Sequence, residues 1–169
     1  PSSLVTFEAG DLPIILSAPH GGRAAIPGVS KRQGEGVASF KTATDSNTDH
    51  LTEKLADAIE AKLGKRPYLV IARFQRKYVD ANRRADQAYE SKQAQEAYDK
   101  YHESLAKARV DVIKKWGRGL LLDIHGQASE PKAIIRGTQN GKTVKHLIGR
   151  FGEESLIGET SLFGLFAKQ

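Results

Sequence analysis

The sequence predicts an α/β fold: a mainly parallel or mixed central sheet flanked by helices, of the phosphorylase/hydrolase-like kind. Three observations carry that expectation. Short apolar runs alternate with segments of helical period, the pattern of strand–helix–strand units. Three of those runs, in "LPIILSAPHGG", "PYLVIARF" and "GLLLDIHG", stop abruptly where polar residues or glycines begin. The chain of 169 residues, 39% hydrophobic and 27% charged, is long enough for one domain, 1–169, with its own core.

In chain order, residues 12–18 read as a buried strand. Residues 21–43 are glycine-rich and irregular, and so long a loop in a compact domain carries function or moves. The segment "TDSNTDHLTEKLADAIEAKLGKRP" reads as a helix with Leu51, Leu55, Ile59 and Leu63 on its buried face. Thr44, Asp45 or Ser46 is expected to cap it, and Gly64 and Pro67 to stop it. "PYLVIARF" is the next strand. Residues 84–116 form a long helical stretch with a break expected near Ser91, and "GLLLDIHG" is a strand that stays apolar until Asp123. "KAIIRGTQNGKTV" reads as a strand followed by a turn at Asn140–Gly141, and "TVKHLIGRFG" as a helix.

Composition excludes several classes. There is no cysteine, so disulfides and thiolate zinc sites are ruled out, and any metal must be held by His, Asp or Glu. The net charge of +6 comes from 26 basic and 20 acidic residues, but the two signs are interleaved, with no basic arm or aromatic–basic platform. A small anionic substrate is a better use of local positive charge than nucleic acid. No run of 18 apolar residues offers a membrane span, and no signal peptide is visible. The start without Met implies trimming, which leaves a cytoplasmic location and secretion after processing both open.

His20 and His125 occupy equivalent places: each follows an apolar strand and precedes a glycine. Ligands of open α/β sheets sit beyond the carboxyl ends of the strands. Two imidazoles and one carboxylate make a zinc site with its fourth position left to water. Asp45 and Asp49 are the candidate carboxylates, although Asp45 also suits a helix cap. Asp123, two residues before His125, shares its face and can ligate or orient an imidazole. In "DANR", Arg83 can fork onto a carboxylate and Asn82 can add a directed amide, though the same residues also suit a solvated helix start. His102, His50 and His146 read as packed or solvated, and Trp116, Tyr98, Tyr101 and Leu105 as packing.

Taken in order, "SAPHGG", "TDSNTDHL", "RKYVDANR" and "LLLDIHG" resemble the motifs of the N-formylglutamate amidohydrolase family, which is related to the zinc carboxypeptidases. With "IIRGTQNGKTV" and "SLFG", the resemblance runs from residue 12 to 166. It implies a zinc amidohydrolase in which His20, His125 and Asp45, preferred over Asp49, are ligands, with Asp80 and Asp123 behind them. Asn82 and Arg83 would hold a substrate carboxylate, and Arg76 would polarise the scissile carbonyl. The implied substrate is an N-acyl, N-formyl-like amino acid or small peptide. A peptidoglycan or peptide amidase, and a non-catalytic binding protein of the same fold, are the alternatives. The family's general base is a glutamate near the C-terminus. Glu153, Glu154 and Glu159 do not match it and the chain ends in "SLFGLFAKQ", so the chain is expected to lack that segment and its base.

Overall fold

A computed structural model describes residues 3–130 and 132–168. The chain forms two compact units, Pro1–Gly126 and Gln127–Gln169.

The first unit is built on a four-stranded sheet of order β1-β3-β2-β4, with strands β1 (Val5–Glu8), β2 (Ile14–Ala18), β3 (Tyr68–Ala72) and β4 (Leu120–Asp123). β2 runs parallel to both β3 and β4, and β1 joins β3 antiparallel, so the sheet is the mixed one expected. Every residue of β3 is buried, because helices cover both of its faces and a strand so covered is apolar throughout. On one face Leu16 and Leu69 meet Ala56 of α1 (Thr48–Leu63). On the other, Ile15, Tyr68, Val70 and Ala72 meet Ala97, Tyr101, Ala108 and Val112 of α3 (Lys92–Trp116), which follows the short α2 (Ala85–Ala88).

Helix ends follow local chemistry. Ser91 caps α3 by accepting from the Ala94 N–H at 3.2 Å, which accounts for the break expected there. Gly64 closes α1 in a left-handed conformation. The start of α1 departs from expectation: Asn47 occupies the cap position, left-handed and without a side-chain cap, while the Asp45 carboxylate is used elsewhere. The buried face of α1 also differs. Leu51 and Leu63 are 56% and 57% exposed, and the helix lies on the sheet through Thr48, Asp49, Thr52 and Ala56. Small residues let its axis come close, leaving Leu55 and Ile59 half-buried at the flank. Trp116, expected in the core, sits at the exposed end of α3, edge-on to Tyr68.

The second unit holds a 3-10 turn (Lys142–Val144) and helices α4 (Lys145–Phe151), α5 (Glu154–Ile157) and α6 (Leu162–Phe166). The helix expected from "TVKHLIGRFG" is α4. No strand forms among the described residues of 132–144; Ile134 and Ile135 stay exposed, with no ladder to enter. The turn is present, with Gln139, Asn140 and Gly141 all at positive φ. No helix of the described residues is long and apolar enough to cross a membrane.

The two glycines after His20 serve close approach, since neither is left-handed. A Cβ on Gly21 would lie 2.7 Å from Thr48 Oγ1 and against the Asp49 backbone, and one on Gly22 would collide with the backbone of Ala72 and Arg73. Gly22→Ala is therefore expected to cost about 1–3 kcal/mol, a Tm drop on the order of 2–12 °C in a thermal melt. Gly137→Ala, with nothing within 4 Å, is expected to leave Tm unchanged.

Candidate metal centre

The parallel pairing of β2 and β4 places Ser17 opposite Asp123, so the two strands end together and each delivers a histidine just beyond its tip. His20 and His125 face each other with ring centroids 5.1 Å apart. Asp45 enters from the segment before α1, fixed by its own N–H to His20 O at 3.0 Å and by the Gly126 N–H to its Oδ2 at 3.1 Å. Asp45 Oδ2 then lies 3.4 Å from His20 Nδ1 and 3.1 Å from His125 Nδ1.

These three residues fit a metal ion. One ligand atom from each lies within 4.8 Å of the others. Tetrahedral zinc with bonds of roughly 2.0–2.1 Å spaces its ligands about 3.4 Å apart, which is close to the two separations above. Each imidazole also turns its far nitrogen onto a carboxylate: His20 Nε2 on Asp80 Oδ1 at 2.7 Å, His125 Nε2 on Asp123 Oδ2 at 2.9 Å. That arrangement orients metal-bound histidines and aims Nδ1 into the centre. His20 Nδ1 is buried and has no hydrogen-bond partner, which is the position of a lone pair awaiting a cation.

Charge around the group is balanced by direct contact. Burial pushes the Asp80 carboxyl up, but its bond to His20 and the Arg76 guanidinium, 2.9 Å away, outweigh that and hold it at about 2. Burial also pushes Asp45 up, and the imidazoles of His125 and His20 beside it, with the Gly126 N–H, more than reverse this, holding it below the usual carboxylate range. Hydrogen bonds to Asp123 and Asp45 raise His125 to about 9, against the opposing effect of its burial.

The sequence candidates fall into two sets. His20, Asp45, His125, Asp80, Asp123 and Arg76 form one connected group, with Arg76 Nη1 also 3.6 Å from Asp45 Oδ1. Asn82 joins it: its amide lies 3.2 Å from His125 Nε2. Arg83 is not drawn into the group, and its guanidinium donates to Ser39 O at 3.2 Å in the long loop. With Asn82, Arg84, Gln87, Tyr98 and His102 it lines a cleft of about 470 Å³. Asp49 also stays outside, buried with its Oδ2 3.7 Å from Arg73 Nη1. His102 packs on Tyr98 and lies 3.1 Å from Ala81 O, and His50 pairs with Glu53 on the surface, as bland readings of both expect.

Arg32 is the residue that sequence reasoning missed. It is buried behind Asp80, at 4.0 Å, and donates to Arg76 O and Lys41 O. Burial lowers its pKa. Its segment, "SKRQGEG", reads as a solvated loop, and no sequence signal marks it.

A family model described as N-formylglutamate amidohydrolase matches residues 12–96, which include His20, Asp45, Arg76, Asp80, Asn82 and Arg83. No curated protein matches the chain. Among solved structures, it is similar to the crystal structure of N-formylglutamate amidohydrolase from Ralstonia eutropha JMP134, at 20% identity and a TM-score of 0.51, over 75% of this chain and 62% of that one. At that identity the likeness is one of fold, and this chain spans less than two thirds of that protein's length.

Purified protein equilibrated with zinc is expected to retain about one ion per chain by elemental analysis, and His20→Ala and His125→Ala each to lose it. The raised pKa of His125 adds a pH dependence. Below about pH 9 both ring nitrogens carry protons in the metal-free protein, and the Nδ1 proton must leave before that atom can ligate. Zinc affinity is therefore expected to rise about tenfold per pH unit from 7 toward 9 and then level off, with a proton released on binding that calorimetry in two buffers detects. In the metal-free protein the same shift stabilises the fold fully below roughly pH 6.5, and that contribution is lost as pH rises through about 9.

Proposed function

This chain belongs to the N-formylglutamate amidohydrolase family, and we propose that it is a zinc-dependent amidohydrolase acting on an N-acyl, N-formyl-like amino acid or small peptide that carries a carboxylate. The observation that supports this most is the convergence of His20, Asp45 and His125, each offering one ligand atom within 4.8 Å of the others. A zinc ion there would bring the pKa of its water toward about 7 and polarise the amide carbonyl. The protein's own groups do the rest. Asp80 and Asp123 hold the imidazoles in register. Arg76, beside Asp45, supplies positive charge next to the position where the oxyanion develops. Asn82 and Arg83 anchor the distal carboxylate, with Arg83 exchanging its bond to Ser39 O for the substrate, so that the reacting carbonyl is held in place.

One observation favours a second reading. Asp45, Asp80 and Asp123 are each committed, to the imidazoles, to arginine or to a hydroxyl, so none is free to accept the proton of the attacking water. A protein of this fold that binds the same carboxylate ligand without turnover fits that arrangement.

Zinc-loaded protein is expected to hydrolyse N-formyl and N-acetyl amino acids with acidic side chains, followed by release of the free amine. Arg83→Ala is expected to raise KM roughly 10- to 100-fold, the loss of one hydrogen bond between charged groups, while zinc content stays at the wild-type level. An unchanged KM would remove Arg83 from the carboxylate site. Binding of the acylated amino acid without any amine release would decide for the second reading.

A further inference from the structure

The two carboxylates that orient the histidines are held in different ways. Asp80 is 1% exposed and clamped by the Arg76 guanidinium and the Asn82 N–H. Asp123 ends an edge strand, and its side chain is 35% exposed. Water can compete for its oxygens, and its side chain is free to turn unless something else fixes it.

That role falls to Ser17, the only polar residue of β2. Its register opposite Asp123 in a parallel pair puts both side chains on the α3 face of the sheet. Ser17 is 1% exposed, and its Oγ donates to Asp123 Oδ1 at 2.5 Å. A serine hydroxyl has one proton, and Asp123 takes it. The other Asp123 oxygen faces His125 Nε2. Each oxygen of Asp123 in the chain Ser17–Asp123–His125 therefore has one partner.

We infer that Ser17 is a positioning residue for the metal centre: its hydrogen bond fixes Asp123 so that it accepts from His125 Nε2 and leaves Nδ1 aimed at Asp45 and His20. This rests on the metal-centre reading of the previous subsections. A buried serine that only filled space would affect stability and leave the imidazole untouched.

The test measures zinc affinity by chelator competition in Ser17→Ala, Ser17→Cys and Ser17→Thr, beside the low-field Nε2–H resonance of His125 in the metal-free proteins. Ser17→Ala is expected to weaken zinc binding about tenfold and to broaden or shift that resonance. Ser17→Thr, which restores the hydroxyl, is expected to recover both. Ser17→Cys keeps the side-chain position and leaves only a weak donor; it is expected to move both readouts in the same direction as Ser17→Ala, and it carries the test if Ser17→Ala does not fold. Affinities within twofold of wild type and an unmoved resonance in both variants would overturn the inference while leaving the metal centre intact. If wild type binds no zinc, the metal reading fails by itself, and a resonance unchanged in the variants overturns the chain as well.

Discussion

The register between β2 and β4 is the constraint on which the rest depends. The two strands are parallel neighbours and finish together, with Ser17 opposite Asp123. Each then continues a few residues past its last ladder bond before presenting a histidine. A slip of one residue would turn Asp123 to the α1 face and carry His125 away from His20. The slip is resisted because Leu122 and Leu16 pack against α1 while Ile15 faces α3, so every alternate side chain would have to change layers. The apolar core thus fixes the geometry of a polar site at the strand ends.

Asp45 depends on a second close approach. Its main chain hydrogen-bonds to His20 O, and the glycines after His20 lie against the start of α1 and the end of β3. No side chain fits between these segments. The loop can therefore bring a carboxylate from far along the chain to within 3.4 Å of a ring nitrogen whose other side is already committed. Arg76 and Arg32 compensate the charges this buries. An isolated buried carboxylate costs several kcal/mol, and Asp80 is tolerable only because His20 and a guanidinium meet it directly.

The strand ends were legible, because an apolar run that stops at a histidine and a glycine is visible without any structure. So were His20 and His125 as a pair, Asp45 as a candidate beside Asp49, and the break at Ser91. The face of α1 was not legible. Leucines at helical spacing outweigh threonines and alanine in any hydrophobicity pattern, yet the sheet accepted the small residues because only they allow close packing. Ile134 and Ile135 misled in the opposite way: an apolar pair suggests a strand, but a strand needs a partner edge, and pairing is not written in the local sequence. Arg32 could not be seen at all, since its value lies in where the loop folds back. Ser17 was hidden as well. One serine in an apolar strand reads as a small residue, and only the cross-strand register turns it into the support of a carboxylate.

The asymmetry between the two histidines says where a ligand can enter. His20 is enclosed, with Asp80, Arg76 and Arg32 filling the space behind it. His125 lies at the edge of the sheet, partly open, with the exposed amide of Asn82 against its ring. The cleft lined by Asn82, Arg83 and Arg84 begins on that same side. The proposed substrate would therefore approach over His125 and Asn82, with its charged end toward the arginines of the cleft. On the closed side only the Arg76 guanidinium, beside Asp45, would reach it. Any group that accepts a proton from water at this centre must stand on the open side too. The enclosed half supplies rigidity, the open half supplies access, and the three atoms that could hold a metal lie on the boundary between them.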